Sequence, residues 1–193
     1  MIKNLLLNKF YITSNLYKKQ FKYCGKDVKV YLPYLALSKK SISIDYKTEI
    51  LAGARLQTYA SGGKVPNITI GKRCYFGYNL SILAGDDIII DDDVLIASNV
   101  LITSETHGMD PTSEIPYMDQ QLSVKSVHIK QGCWIGEKVC IMPGVTIGEK
   151  SIIGAGSIVT KSIPDYCIAV GNPAKVIKKY NFENETWEKC DGE

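Results

Sequence analysis

Residues 129–159 read IKQGCWIGEKVCIMPGVTIGEKSIIGAGSIV, with an aliphatic side chain at every sixth position: Ile129, Ile135, Ile141, Ile147, Ile153 and Val159. Glycine follows three of these directly, at Gly136, Gly148 and Gly154. Neither an α-helix, with 3.6 residues per turn, nor a plain strand, with a period of two, generates a period of six. A six-residue repeat is the signature of a parallel β-helix, in which each hexad supplies one short strand and one corner. Three hexads close one triangular coil, so residues eighteen apart stack: Ile129 on Ile147, Ile135 on Ile153, Ile141 on Val159. Each buried aliphatic contributes roughly 1.5–3 kcal/mol, and stacking joins these contributions into one apolar column that no single coil would sustain alone. The glycine after the inward residue is expected to supply backbone conformations closed to other residues.

The same register occurs earlier, in Ile44, Ile50 and Leu56, then in Ile70, Phe76 and Ile82, then in Ile90, Ile96 and Ile102 after a two-residue slip at Gly85-Asp86. Two breaks interrupt it. Residues 57–67 (QTYASGGKVPN) read as a short loop. From Ile102 to Ile129 the step is 27 residues, so the chain leaves the coil and rejoins it. This insertion, residues 103–127, carries His107, Pro111, Pro116, Tyr117 and Met118. An insertion of that length in a compact domain points to a site-forming arm. The expected organisation is an all-β solenoid over residues 41–162, a basic cap over 1–40, and a tail over 163–193. In the tail, Pro164 and Pro173 oppose regular strands, Gly171-Asn172-Pro173 is a turn, and residues 182–190 are expected to form a short capping helix that covers the last coil with Trp187.

Composition limits the function classes. With 193 residues, 45% hydrophobic and 22% charged, the chain fits one ordinary globular domain. No apolar run reaches the ~18–20 residues of a membrane span, and Leu5-Leu6-Leu7 is too short for a secretory core. A cytoplasmic protein with reduced thiols is therefore expected, and the six scattered cysteines contain no CxxC pair. The net charge of +3 conceals an asymmetry: residues 1–40 hold nine lysines against Asp27 alone, a net +8, which leaves −5 for the remainder. This segment is either a cap with a solvated lysine face or a contact for an anionic membrane surface. Nucleic-acid binding is disfavoured, since the basic residues lack an aromatic-interleaved or helical motif.

Chemistry is sought where the repeat breaks. The chain has two histidines. His107 lies on the arm, within Ser104-Glu105-Thr106-His107-Gly108. Imidazole is the side chain best suited to proton transfer near neutral pH. His128 precedes inward Ile129 and should face outward. Glu105 and Asp110 are candidates to orient His107. Trp134 should also face outward, and a large exposed ring suggests a groove or an interface.

Several stretches together resemble the sugar O-acetyltransferases of the hexapeptide superfamily, such as maltose and galactoside acetyltransferases and enzymes that acetylate surface polysaccharides. They are DVLIASNV (93–100), Thr106-His107-Gly108, CWIGE (133–137), MPGVTIG (142–148), IGAGSIVTK (153–161) and GNPAKVI (171–177). The resemblance implies a left-handed parallel β-helix, the known exception to right-handed crossovers. It also implies a homotrimer that binds acetyl-CoA between adjacent β-helices. By position, His107 corresponds to the general base and Trp134 to a tryptophan lining the acyl and acceptor pocket. Ala155, Thr160 and Lys161 correspond to contacts of the pantetheine arm and adenosine. Lys175 and Lys178 correspond to basic positions near the coenzyme phosphates. The chain departs from the family pattern at two points. Glu105 replaces the first histidine of a His-x-His-Gly motif, and a family asparagine in the acceptor pocket falls near Gly77, with Asn79 the only asparagine nearby.

The expected function is acetyl-CoA-dependent O-acetylation of a saccharide such as a capsule, an O-antigen or a related glycan, with no metal. N-acetylation of an amino sugar, nucleotide-linked or not, uses the same fold and base and remains open. So does a non-enzymatic solenoid scaffold, which predicts no coenzyme A affinity. A γ-class carbonic anhydrase needs three histidines on zinc, and two are present.

Overall fold

The computed structural model describes residues 18–190. The chain winds as a three-sided parallel β-helix. The first coil contains β1 (Tyr23–Cys24), β2 (Lys29–Val30) and β3 (Leu35–Ala36); the second, β4 (Ile42–Ile44), β5 (Glu49–Ile50) and β6 (Arg55–Thr58); the third, β7 (Ile68–Ile70), β8 (Tyr75–Phe76) and β9 (Ser81–Ala84). The fourth coil contains β10 (Ile88–Ile90), β11 (Leu95–Ile96) and β12 (Leu101–Thr103), and the arm that follows holds β13 (Glu105–Thr106) and β14 (Ser123–Val124). The fifth coil contains β15 (Val127–Ile129), β16 (Trp134–Ile135) and β17 (Cys140–Ile141); the sixth, β18 (Thr146–Ile147), β19 (Ile152–Ile153) and β20 (Ile158–Val159). The chain closes with β21 (Cys167–Gly171), β22 (Ala174–Asn181) and β23 (Thr186–Lys189).

The first face stacks β1-β4-β7-β10-β15-β18, the second starts β2-β5-β8-β11-β16-β19-β21, and the third stacks β3-β6-β9-β12-β17-β20. Parallel pairing places one inward side chain over the next. On the first face the column is Cys24, Ile44, Ile70, Ile90, Ile129 and Ile147, with Ile163 bridged below. On the second it is Val30, Ile50, Phe76, Ile96, Ile135, Ile153 and Ala169. On the third it is Ala36, Leu56, Ile82, Ile102, Ile141 and Val159. Nearly all are fully buried, which is why a sixfold apolar period specifies this fold.

The columns reveal where the chain tolerates irregularity. From first face to second the inward step is always six residues, and from second to third it is again always six. Only the return from third face to first varies: 8, 14, 8, 27, 6 and 4 residues in successive coils. The loop after Thr58, the arm and the terminal slip before Ile163 all fall on this one edge of the prism.

Three expectations need correction. The solenoid does not begin at residue 41: β1, β2 and β3 form a full coil paired in register with the next one. Of the cap expected over 1–40, residues 1–17 lie outside the described residues. The tail forms no capping helix. Instead β21 continues the second face in parallel, and β22 and β23 extend it as an antiparallel hairpin in which Tyr180 pairs with Trp187. Pro173 sits in the turn between β21 and β22, and Pro164 in the corner before β21, so neither removes a ladder amide. Finally, the glycines after inward residues do not use left-handed backbone. Gly77 and Gly136 lack positive φ. A Cβ on Gly136 would stand 2.6 Å from the Ala155 nitrogen, and one on Gly77 2.6 Å from the Ser98 nitrogen. They are small because the next coil passes directly against them.

Candidate active site

The arm leaves the variable edge after β12 and returns at β15. Its root is fixed by buried polar contacts. The Ser104 hydroxyl is wholly buried; it accepts from the Gly85 and Asp86 amides at 3.1 and 3.0 Å and donates to the Asp86 carbonyl at 2.6 Å. The two-residue slip at Gly85-Asp86 and the arm's first residue are thus tied by one side chain. β13 and β14 then pair antiparallel, Glu105 opposite Val124 and Thr106 opposite Ser123. Glu105 and Val124 pack over Gly85, where a Cβ would fall 2.5 Å from Glu105 Cβ.

His107 follows β13 directly and is exposed. Its neighbour Gly108 lies against Gln120, whose side chain ties down the loop between β13 and β14. Gln120 Oε1 accepts from the Asp110 amide at 3.1 Å, and Nε2 donates to the Asp110 and Ile115 carbonyls, both at 3.0 Å. Neither candidate carboxylate orients the imidazole. Asp110 Oδ1 accepts from the Thr112 amide and hydroxyl at 2.9 and 2.7 Å, and these bonds hold its carboxyl below the usual range. Glu105 makes no side-chain hydrogen bond or ion pair among the described residues. The two histidines therefore differ. His128 Nε2 lies 3.0 Å from Asp91 Oδ2 on the outer first face, whereas His107 has no hydrogen-bond partner among the described residues.

The other candidates are distributed over the prism. Trp134 is 49% exposed on the outer second face, between Leu95 and Ile152 in register. Tyr75 and Leu95 continue this apolar ladder. Asn79 occupies the corner between second and third faces in left-handed backbone (φ 58°), a conformation that asparagine tolerates well. There it donates to Asn99 Oδ1 at 3.1 Å, and Asn99 donates to Glu137 Oε1 at 3.2 Å. This ladder staples three successive coils. Ala155 shares that corner, exposed, against Gly136. Trp134 and Asn79 thus belong to a different side of the protomer from the arm's root.

Thr160, Lys161 and Lys175 come together. They line a cavity of about 640 Å³ at the foot of the variable edge, with Pro164, Cys167 and Lys179. Lys178 is absent from the lining. In β22 it stands opposite Ile168, while Lys179 stands opposite inward Cys167, and adjacent strand residues point to opposite faces. The signal for Lys179 is the strand period in the tail, which sets it on the same face as Cys167 and sets Lys178 on the other. The cavity and the arm's root share one edge, two strand spacings apart, or about 10 Å.

A family model described as bacterial transferase hexapeptide (six repeats) matches residues 126–161, and one described as hexapeptide repeat of succinyl-transferase matches residues 67–104. WbbJ of Escherichia coli K12, provisionally named a lipopolysaccharide biosynthesis O-acetyl transferase, is 37% identical over 158 residues, 77% of this chain and 78% of that protein. The galactoside O-acetyltransferase of Lactococcus lactis is 39% identical over 120 residues, 62% of this chain and 56% of that protein. The chain thus spans little more than half the length of that curated relative. Among solved structures, a point mutant of AntD, an N-acyltransferase from Bacillus cereus, in complex with dTDP and coenzyme A, matches with a TM-score of 0.75 at 26% identity, covering 91% of this chain and 93% of that one. The polySia-specific acetyltransferase NeuO matches with a TM-score of 0.59 at 29% identity, covering 78% of this chain and 61% of that one. With these matches, the three-sided coil is a left-handed parallel β-helix.

Proposed function

The chain belongs to the hexapeptide-repeat acetyltransferases, and on that premise we propose that it transfers an acetyl group from acetyl-CoA to a saccharide hydroxyl, with His107 as general base. The observation that carries this reading is an imidazole held on a pinned arm with no hydrogen-bond partner among the described residues, on the same edge as a lysine-lined cavity. His128, by contrast, is bonded to Asp91.

The chemistry follows from the groups. As the acceptor oxygen attacks the thioester carbonyl, His107 takes the hydroxyl proton. The tetrahedral oxyanion is stabilised by backbone N–H donors. It collapses with cleavage of the C–S bond, and the imidazolium returns the proton to the sulfur, releasing coenzyme A and the acetyl ester. Lys161, Lys175 and Lys179 suit the coenzyme's phosphates as cations, and Thr160 lies beside them. The thiol end then runs up the variable edge towards the arm.

One protomer holds the base and the Trp134–Asn79 side apart. A homotrimer unites them: the arm of one subunit, with exposed Met109, Ile115, Tyr117 and Met118, covers the second-face ladder of the next. Trp134 then lines the acyl and acceptor pocket, with Asn79 and Glu105 at its margin. The acceptor is a surface glycan or its precursor, modified in the cytoplasm. No described helix is long and apolar enough to cross a membrane.

AntD, an N-acyltransferase bound to dTDP, favours a second reading, acyl transfer to a nucleotide-linked amino sugar. A thiol-release assay with acetyl-CoA decides between them, using glycans in one panel and dTDP-amino sugars in the other. No release with any acceptor and no coenzyme A binding would leave a scaffold. His107→Ala should fold and lose turnover by ~10²–10⁴-fold; a near-normal rate would remove His107 from the mechanism.

A further inference from the structure

The first coil carries a feature that acyl transfer does not use. Residues 18–47 contain eight lysines against Asp27 and Asp45. Among the described residues only one of these lysines, Lys29, reaches a carboxylate, Glu49 at 3.4 Å. Lys18, Lys22, Lys39 and Lys40 donate to neutral oxygens instead. Further along the prism the balance reverses: residues 48–190 hold 13 lysines and arginines against 16 aspartates and glutamates, and some of the cations are paired, Lys64 with Asp86 at 2.7 Å, Arg73 with Asp93 at 2.6 Å and Lys130 with Asp165 at 3.0 Å. The net positive charge of the described residues is therefore concentrated at one end, +6 over residues 18–47 against −3 over residues 48–190.

The same coil exposes large apolar side chains. Tyr23, Leu32, Leu35 and Leu37 are each between 45% and 52% exposed. They are spread around the coil rather than gathered on one face: Tyr23 lies on β1, Leu32 precedes β3, and Leu35 and Leu37 lie on and just after it. Among the described residues β1, β2 and β3 are also the terminal strands of their faces. A rim of lysines and apolar side chains around the end of a prism matches an anionic, partly apolar plane.

We propose that the first coil is a docking surface for an anionic lipid bilayer, which it meets end-on with the β-helix axis upright. Lysines near such a surface gain from its negative potential, and leucines and tyrosine enter the headgroup boundary. A soluble polyanion offers the charge but nothing for Leu35 and Leu37. The arm leaves the fourth coil, three strand spacings or about 14 Å from the first. Where the acyl-transfer reading holds, that height suits a short saccharide presented on a lipid anchor. The docking surface itself does not rest on that reading.

The test is co-sedimentation of the full chain with vesicles of phosphatidylglycerol and phosphatidylcholine, against phosphatidylcholine alone. Binding is expected only to the anionic vesicles and should weaken at about 1 M salt, where the Debye length is ~3 Å. Combined Lys19→Gln, Lys26→Gln and Lys40→Gln should weaken it on the order of 100-fold, about fivefold per lysine. Leu35→Ser with Leu37→Ser should weaken it at constant charge. Both variants should keep the wild-type melting temperature and turnover on a water-soluble acceptor, which separates loss of docking from failure of acyl transfer. Equal binding to both vesicle types would overturn the proposal. So would variants that bind as the wild type does, or full displacement by heparin with the leucine variant unaffected.

Discussion

Ser104→Ala tests whether the arm is a positioned element or a loose insertion. The serine hydroxyl serves two amides and one carbonyl at the variable edge. Alanine leaves all three without that partner, and the Gly85 amide is buried, where no water replaces it. An unsatisfied buried polar group costs about 1–3 kcal/mol. The Asp86 groups are only partly buried and recover some of their loss through solvent. The sum is about 2–4 kcal/mol. For a chain of this size each kcal/mol moves the melting temperature by roughly 2–4 °C, so the variant should melt about 4–16 °C below the wild type. Calorimetry at matched protein concentration measures this, since assembly makes the midpoint concentration-dependent.

The functional half of the prediction is sharper. Freed from Gly85 and Asp86, the root of β13 can shift, and a displacement of ~1 Å at a catalytic group can cost about 100-fold in rate. Turnover should therefore fall while KM for acetyl-CoA holds, because the lysine cavity lies two strand spacings away. A wild-type melting temperature would refute the energetic reasoning. A lowered melting temperature with unchanged turnover would refute the claim that this pin sets the position of His107.

Trp134→Ala should raise KM for the acceptor about tenfold, or ~1.4 kcal/mol, with little change in melting temperature; unchanged kinetics with a large thermal loss would make the ring a packing element. Lys179→Ala should raise KM for acetyl-CoA by up to about fivefold, the worth of one exposed charge pair, while Lys178→Ala should not; the reverse order would overturn the cavity assignment. Burial pushes the Cys74 thiol up to about 11 and the Cys133 thiol up to about 12. A raised folded value means that stability is fully present below the ordinary thiol value near 9 and is lost as pH rises through the folded values. Melting temperature should thus decline between about pH 9 and pH 12, and a flat profile across that window would contradict it.

The inward columns were legible because large aliphatics mark them. Ile129 to Val159 repeats without a flaw, and Ile44, Ile70 and Ile90 announce the earlier coils. The first coil follows the same period, but its inward residues are Cys24, Val30 and Ala36, too small or too ambiguous to stand out among nine lysines. At the other end Ile163 and Ala169 still lie six apart, but the four-residue return from Val159 hides the continuation. Past Gly171 the pattern changes from six to two, so a reading tuned to hexads passes over the hairpin and with it Lys179. The site was legible in part. The arm and His107 followed from the 27-residue step. Their fastening did not, because Ser104 and Gln120 act through backbone groups of Gly85, Asp86, Asp110 and Ile115, and residue identity carries no record of such contacts.

The confinement of irregularity to one edge has a physical origin. Each inward side chain must land on the one below, so a change of length anywhere displaces every later residue unless the chain leaves and returns at one corner. At two corners the step never departs from six, and there the close approach of successive coils, at Gly71 on one corner and at Gly77 and Gly136 on the other, leaves no room for a larger residue. Insertions collect at the third corner. A rigid prism with one permissive edge can acquire an arm, a loop and a terminal cavity without disturbing its core. Because the coils stack at a fixed spacing, the arm that carries His107 stands at set distances from the lysine-lined cavity on one side and from the basic first coil on the other. If the proposed site and docking surface hold, the solenoid sets the distance between them, and deleting one coil between the first and the arm, with the columns kept in register, should leave transfer to soluble acceptors intact while changing which membrane-presented saccharides are reached.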